Sequence, residues 1–194
     1  MTSVSRQADG NAATVLSRLD EDHFHLTRVM PVLEDELAKR DDDDADIDWN
    51  LLADVLAYVG EYPDAVHHPL EDRMFDRVLD KGLTPAEREL VHFNLSQHAE
   101  IVGATTQLAD DVNNILSDVV VPIDVLMDHC RRYLDMQRSH MRNEQVHLFP
   151  LAERLLGEED WAEIATELAA HADPMFMLRQ GRFDSLYERV AATG

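Results

Sequence analysis

Apolar residues recur at spacings of three and four along most of the chain, a pattern typical of helices that bury one face. The first apolar stripe predicts a helix from Asn11 to Arg40. The second predicts a helix from Trp49 to Lys81, with Asp48 placed to cap its first turn. Because proline lacks a backbone N–H, Pro63 and Pro69 are expected to bend or interrupt this second helix.

Two further stripes complete a set of four long helices. Thr84-Pro85-Ala86-Glu87 is typical of a capping box, and a third helix is predicted after it as far as Ser117. A fourth helix is predicted from Ile123 to Leu156, where a heptad stripe carries polar residues in its middle. Gly157 ends this helix, and two shorter amphipathic segments lie beyond it. No strand pattern competes with these helices.

Four long helices with short connections predict an all-α fold, an up-down-up-down antiparallel four-helix bundle with a short C-terminal helical extension. The predicted boundaries are a flexible N-terminus over 1–11, the bundle over 12–156 and the extension, packed on the bundle, over 157–194. The acidic run over 41–46 is expected to form a solvated turn between the first two helices.

The composition of the chain limits the kinds of partner and the cellular location that are expected. With 17 Lys and Arg against 39 Asp and Glu, the net charge of −22 opposes binding to nucleic acid and to anionic membranes. No segment has the apolar length of a membrane span, and the first residues lack the apolar core of a signal peptide, so a cytoplasmic location is expected. The single cysteine, Cys130, excludes an internal disulfide and a multi-cysteine zinc site.

The candidate chemistry lies among the ten histidines, two of which begin the same motif. His-x-x-x-Glu occurs as His67 to Glu71 in the second predicted helix and as His140 to Glu144 in the fourth. Residues four apart share one helix face and lie about 6 Å apart along the axis, so an imidazole and a carboxylate can approach one metal ion. The second and fourth helices of an up-down bundle run parallel, so the two motifs can face each other at one depth.

The first and third helices each add one inward histidine, because His23 and His98 take stripe positions where an apolar residue would otherwise sit. Buried carboxylates without cations are costly, so the two inward glutamates indicate bound metal. Two carboxylates can bridge two metal ions about 3.5 Å apart, which favours a pair of ions over a single one. The predicted metal ligands are His23, His67, Glu71, His98, His140 and Glu144.

Four short motifs, in their order and spacing, resemble those of the hemerythrin-like, HHE cation-binding proteins across residues 12–156. They are Glu21-Asp22-His23, Tyr62-Pro63-Asp64 followed by His67-His68-Pro69-Leu70-Glu71-Asp72, His98-Ala99-Glu100, and His140-Met141-Arg142-Asn143-Glu144 followed by Leu148-Phe149-Pro150. The segment Asp173-Pro174-Met175-Phe176 also resembles the tail of bacterial members. The resemblance assigns ligand roles to the same six residues.

This resemblance implies a non-haem di-iron centre, in which carboxylates and an oxo or hydroxo group bridge two iron ions. Zinc and manganese are the metals that could substitute for iron. Members of the family bind O2, and some bind NO, react with peroxide or sense iron. The partner it implies for this chain is therefore a small diatomic molecule or peroxide.

One departure from the oxygen carriers concerns a fifth histidine. Those proteins have His-x-x-x-His in the third helix, but Asn94 and Val102 stand four residues before and after His98. Two six-coordinate ions offer about 12 positions, and five histidines with two bridging carboxylates and a bridging oxygen leave one position for O2. Four histidines leave two, which favours NO binding and peroxide chemistry over a stable oxygen adduct.

Two histidines are second-tier candidates for the missing ligand. His147 continues the stripe of the fourth helix three residues after Glu144, and a packing or supporting role is its alternative. His68 follows His67, and an ion pair with Asp72 at i+4 is its alternative. The remaining histidines are expected outside the first coordination shell: His25, His92, His129 and His171.

The donor set also separates the candidate functions. Ferritin-like oxidases use carboxylate-rich Glu-x-x-His sites, whereas four imidazoles and two carboxylates favour binding or sensing of O2 or NO, or reaction with peroxide. The alternative is a protein of oxidative or nitrosative stress or of iron homeostasis with di-iron redox activity. A zinc hydrolase would not explain both glutamates, and a metal-free helical adaptor would leave them unpaired. Weak peroxidase or NO-reactive catalysis and a protein partner stay open.

Overall fold

The computed structural model describes residues 4–41 and 45–192, and its regular elements are helical throughout. The described α-helices are α1 (Val4–Ala38), α2 (Trp49–Glu61), α3 (His68–Leu79), α4 (Pro85–Leu116), α5 (Ile123–Asn143), α6 (Phe149–Leu155), α7 (Glu158–Ala169) and α8 (Asp184–Ala192). These residues contain no strand, so the predicted all-α class is confirmed. Within the same ranges, no helix combines the length and apolarity needed to cross a membrane.

Side-chain caps start two of the long helices as predicted. The Asp48 carboxylate accepts the N–H of Leu51 at 3.0 Å where α2 begins, and Thr84 and Glu87 form a reciprocal capping box before α4. Helix α1 begins at Val4, earlier than the predicted helix start at Asn11. Part of the predicted acidic turn, residues 42–44, lies outside the described ranges.

Two π turns interrupt the second and fourth predicted helices. The first, Pro63–His67, joins α2 to α3, and the second, Glu144–Leu148, joins α5 to α6. A π turn closes its hydrogen bonds to the fifth preceding residue and therefore holds one extra residue. In the first turn the His67 N–H donates to the carbonyl of Tyr62 at 3.1 Å. Because Pro63 has no N–H for the regular helical bond, the predicted interruption at this proline is confirmed.

The apolar interior is divided into two clusters. The α7-side core contains Leu19, Leu70, Val91, Leu148 and Trp161. The α8-side core contains Leu26, Tyr62, Ile101, Met141 and Leu186. A layer of buried polar residues separates these two cores.

The four long helical units carry their polar residues where they pass from one core to the other. On α1, for example, His23 lies between Leu19 of the α7-side core and Leu26 of the α8-side core. Helices α1 and α4 pass from the α7-side core to the α8-side core, and the units α2–α3 and α5–α6 pass in the reverse order. The fold therefore brings the middles of all four units to one level.

The C-terminal helices complete the two cores. Helix α7 packs against α1 and α3 and buries Trp161, and α8 packs against α1 and α2 and buries Leu186. Asp173 holds the segment between them, because its carboxylate accepts the Tyr58 hydroxyl and the N–H of Phe176, each at 2.8 Å.

Candidate metal centre

All six predicted ligand residues lie in the polar layer between the two cores, together with His68. Each of these seven side chains is at most 4% exposed. Helix α1 supplies His23 and α4 supplies His98, while the two His-x-x-x-Glu motifs supply the rest. Residues far apart in the sequence therefore converge on one buried point.

One group of potential ligand atoms belongs to His23, His67 and Glu71, and these atoms all lie within 4.8 Å of one another. Nε2 of His67 is 3.1 Å from Nε2 of His23, and Oε2 of Glu71 is 3.3 Å from Nε2 of His67. Two imidazole nitrogens and a carboxylate oxygen around one point form a ligand set suited to a transition-metal ion.

A second group is formed by His68, His98 and His140, whose ring nitrogens also lie within 4.8 Å of one another. The rings of His68 and His98 stack with centroids 4.5 Å apart, and the His140 ring meets both edge-on. Glu71 and Glu144 fall within the same distance of His98 and His140. The structure thus adds a fifth imidazole, His68, to the four that the sequence predicts.

The two glutamates reach toward both groups. Oε2 of Glu144 lies 3.3 Å from Nε2 of His23, while its Oε1 lies 3.3 Å from Nε2 of His98 and 3.2 Å from Nε2 of His140. Glu71 behaves in the same way, with Oε1 at 3.6 Å from His23 and Oε2 at 3.5 Å from His98. Each carboxylate is therefore placed to span two neighbouring ions.

Several polar atoms at this centre have no hydrogen-bond partner among the described residues. They include both oxygens of Glu71, Oε2 of Glu144 and Nε2 of His140. Buried polar atoms are nearly always bonded, and unpaired buried carboxylates are especially costly. A pair of metal ions would engage these atoms as ligands, so the residues present fit a dimetal group.

Outer carboxylates approach the far nitrogen of three imidazoles. The pairs, measured from carboxylate oxygen to Nδ1, are Asp22 with His67 at 3.2 Å, Asp64 with His68 at 3.4 Å and Asp72 with His98 at 2.6 Å. The Asp64 contact is an ion-pair distance without the geometry of a hydrogen bond. A carboxylate on Nδ1 orients the ring and leaves Nε2 to bind metal.

The ion pair of His68 with Asp72, given above as the alternative to a ligand role, does not form. Helical side chains tilt toward the N-terminus of their helix. His68 accordingly lies beside Asp64, four residues earlier, while Asp72 contacts His98 of α4.

Asn94 is a further site residue. In the sequence it is marked only as a position where a fifth histidine is missing. It is fully buried, and its Nδ2 donates to Oε1 of Glu144 at 2.7 Å. The available signal was a polar amide on an apolar stripe, four residues before His98. Asn94 orients the carboxylate of Glu144 and does not replace the missing imidazole.

The structure does not bring His147 to the centre. Its side chain is exposed on the second π turn, whereas the next residue, Leu148, is fully buried. The stripe that places His147 inward assumes an unbroken α-helix, and the extra residue of the π turn invalidates that spacing. His25 also lies outside the centre, stacked on Phe176 with ring centroids 3.8 Å apart.

Burial and neighbouring charges shift the pKa values of the centre in opposite directions. Burial would lower the pKa of His67 and of His98, but neighbouring carboxylates raise these pKa values to about 10 and about 11. Burial and the positive charges of those two rings lower the pKa of His68 well below its ordinary value. Burial would raise the pKa of Glu71 and of Glu144, yet the surrounding imidazoles lower both. Burial would lower the pKa of His23 as well, but hydrogen bonds to Glu144 and Glu71 raise it, so protonated imidazoles face ionised carboxylates in the metal-free chain.

These features define a helical protein with a buried cation site rich in histidine and glutamate. The family model described as the Hemerythrin HHE cation binding domain matches residues 14–152. The chain belongs to this hemerythrin HHE cation-binding family, and the resemblance found in the sequence is confirmed. Searches of curated proteins and of solved structures found no match to the chain.

Proposed function

We propose that the chain binds two metal ions, iron in the cell, and uses them to bind or sense O2 or NO or to react with peroxide. The position of the Glu144 carboxylate is the main support for this proposal, since one oxygen faces His23 and the other faces His98 and His140. A carboxylate so placed would hold two ions side by side. Membership of a cation-binding family supports the presence of metal.

The imidazoles divide unequally between the two ions. His23 and His67 would hold one ion, while His68, His98 and His140 would hold the other, with both glutamates spanning the pair. The ion held by two histidines would have fewer protein ligands, so an exchangeable position would lie on its side. His68 thus supplies the fifth imidazole, which strengthens the case for reversible O2 binding relative to the four-histidine prediction.

The chain's own residues prepare the site for this chemistry. Bound iron supplies the electrons for binding a diatomic molecule or reducing peroxide. Asp22, Asp64 and Asp72 restrain three of the imidazole rings. The apolar cores on either side keep bulk water away from the polar layer, which strengthens the electrostatic interactions within it.

We further propose that the four helical units follow the predicted up-down-up-down order within residues 12–156, and that 157–194 form an extension on this bundle. The alternating order in which successive units pass through the two cores supports this topology. The cytoplasmic location, and the absence of nucleic acid and membrane partners, stay predictions from the charge and apolar pattern of the sequence.

Metal analysis with a matched pair of variants tests the proposal. Protein produced in iron-rich medium should contain about two iron ions per chain, and its absorption spectrum should change when the reduced form meets O2. Glu144→Gln, which removes the bridging charge at constant size, should lose most of the metal. Glu100→Gln, an exposed change on α4, should retain it. Full metal content in Glu144→Gln would contradict the bridging role.

A further inference from the structure

A groove of about 280 Å³ between α1 and α5 adjoins the metal centre. Its buried lining residues include His23 and Met141, at 2% and 4% exposure, and its exposed lining residues include Arg138, Arg142 and Gln145. His23 therefore belongs to two sites at once. One edge of its ring faces Glu144 of the metal centre, and the same side chain lines the groove.

Among the charged groups of the groove, Arg142 is the cation without a carboxylate partner. Arg138 pairs with Glu34 at 2.6 Å, and Asp20 accepts the side-chain amide of Gln145 at 3.0 Å. No described carboxylate lies within ion-pair distance of Arg142, in a chain with 39 acidic residues. An arginine left unpaired on so acidic a protein is placed to receive an anion from solution.

A second, independent observation comes from His23 itself. Its Nε2 faces Glu144 at 3.3 Å, but its buried Nδ1 has no hydrogen-bond partner among the described residues. Metal-ligating imidazoles almost always donate the other ring N–H to an acceptor, as His67 does to Asp22 at 3.2 Å. The acceptor for His23 is missing from the described chain, and the groove is where one can be supplied.

We propose that the groove binds a small planar oxyanion of the nitrite, nitrate or formate class. One oxygen accepts the Nδ1–H of His23 while the guanidinium of Arg142 binds the anion. The carboxylate of Asp20 in the same wall disfavours multiply charged anions, so a monoanion fits best. Two charge-assisted contacts of this kind discriminate an anion from a neutral molecule of the same shape.

The anion site rests on the proposed metal site through the proton of His23. A metal ion on Nε2 fixes the proton on Nδ1, where it can be donated to the anion. Metal should therefore tighten anion binding, and by reciprocity the anion should tighten metal binding by the same factor. The groove would then act as an anion-dependent support for the ion held by His23 and His67.

Nuclear magnetic resonance of the zinc-loaded full chain tests this site with formate as the probe. Formate should shift the ring N–H signal of His23 and the side-chain N–H signal of Arg142 with one dissociation constant, and neutral formamide should shift neither. R142Q should weaken formate binding about tenfold, as expected for loss of a charge-assisted contact. The matched control R131Q removes an exposed arginine of α5 that already pairs with Asp128 at 2.6 Å, and it should leave binding unchanged.

The outcomes separate the anion site from the metal site. Chain that takes up no zinc would overturn the proposed metal centre. Zinc-loaded protein in which formate leaves the His23 signal unmoved, or binds R142Q and R131Q equally well, would overturn the anion site alone. Tighter zinc binding in formate, absent in R142Q, would establish the coupling between the two sites.

Discussion

The two π turns stand beside the same His-x-x-x-Glu motif and have opposite effects on the histidines near them. In the unit α2–α3, the turn Pro63–His67 ends at the first residue of the motif, and both His67 and His68 are buried at the centre. In the unit α5–α6, the turn Glu144–Leu148 begins at the last residue of the motif, and His147 within it is exposed. An extra residue in a turn rotates the residues after it by about 100° relative to a regular helix.

This comparison shows that a side chain's place in the sequence stripe decides its direction only while the helix is regular. Each motif keeps its spacing of four because its histidine and glutamate flank regular turns of α3 or α5. His68 follows the first π turn and starts α3, whereas His147 lies inside the second π turn, where the α-helical spacing no longer applies. His68 is therefore a site residue and His147 is a surface residue, although the sequence offers both as equivalent candidates.

The largest expected effect comes from His68→Gln compared with His147→Gln. Glutamine preserves polarity and approximate size but is a poor transition-metal ligand, so His68→Gln should lower the metal content from about two ions per chain toward about one. His147→Gln should keep both ions. Elemental analysis of the purified variants measures the difference, and equal metal content in the two would remove the distinction between the two π turns.

The packing of the second π turn is tested by truncating two neighbouring residues. Leu148 is fully buried in the α7-side core, so Leu148→Ala should lower the free energy of unfolding by about 2–5 kcal/mol. Val146 is 55% exposed, and Val146→Ala should change this free energy by about 0.5 kcal/mol or less. Urea unfolding of both variants gives the comparison. A larger loss of stability in Val146→Ala than in Leu148→Ala would mean that the turn directs Val146, and not Leu148, into the core.

The carboxylate behind His68 should have a smaller effect. Asp64→Asn leaves the fold intact but weakens the negative charge that orients the His68 ring, so metal affinity should fall by about 10- to 100-fold. In the unit α5–α6, Nδ1 of His140 has no partner among the described residues. No carboxylate there can therefore be replaced in an equivalent experiment. Asp76→Asn, an exposed change on α3, is the control for a chelator competition assay. Equal affinities would show that Asp64 does not support His68.

The smallest expected effect is a release of protons on metal loading. The pKa values of His67 and His98 are raised to about 10 and about 11, so both rings carry a proton at pH 8 that a metal ion must displace. Loading at pH 8 should therefore release protons, which an indicator dye in weak buffer detects. No release would contradict the protonated pair.

The same raised pKa values set the pH dependence of the metal-free chain. The ordinary pKa of histidine is 6.5, so the protonated rings contribute their full stability below that pH. This stability is lost as the pH rises through about 10 and about 11, where the folded chain gives up the protons. Thermal melting of metal-free protein across this range should show a falling melting temperature.

Much of the centre could be predicted from the chain because its ligands replace apolar residues on regular stripes. His23 and His98 occupy such positions, and the two motifs place a histidine and a glutamate on one helix face. The helix caps at Asp48 and Thr84 could also be predicted from the sequence, since capping depends on residues within a single turn. These features are local, so a linear pattern is enough to reveal them.

The tertiary structure decided which of the remaining groups join the centre. The choice of His68 over His147, the contact of Asp72 with His98, and the bond from Asn94 to Glu144 all depend on where one helix lies against another. The spacing of residues along one helix does not reveal how far a neighbouring helix is shifted along its axis or rotated about it. The sequence by itself determined the helices, their caps and six inward polar residues, whereas packing across two π turns determined the fifth imidazole and the partners that orient the site.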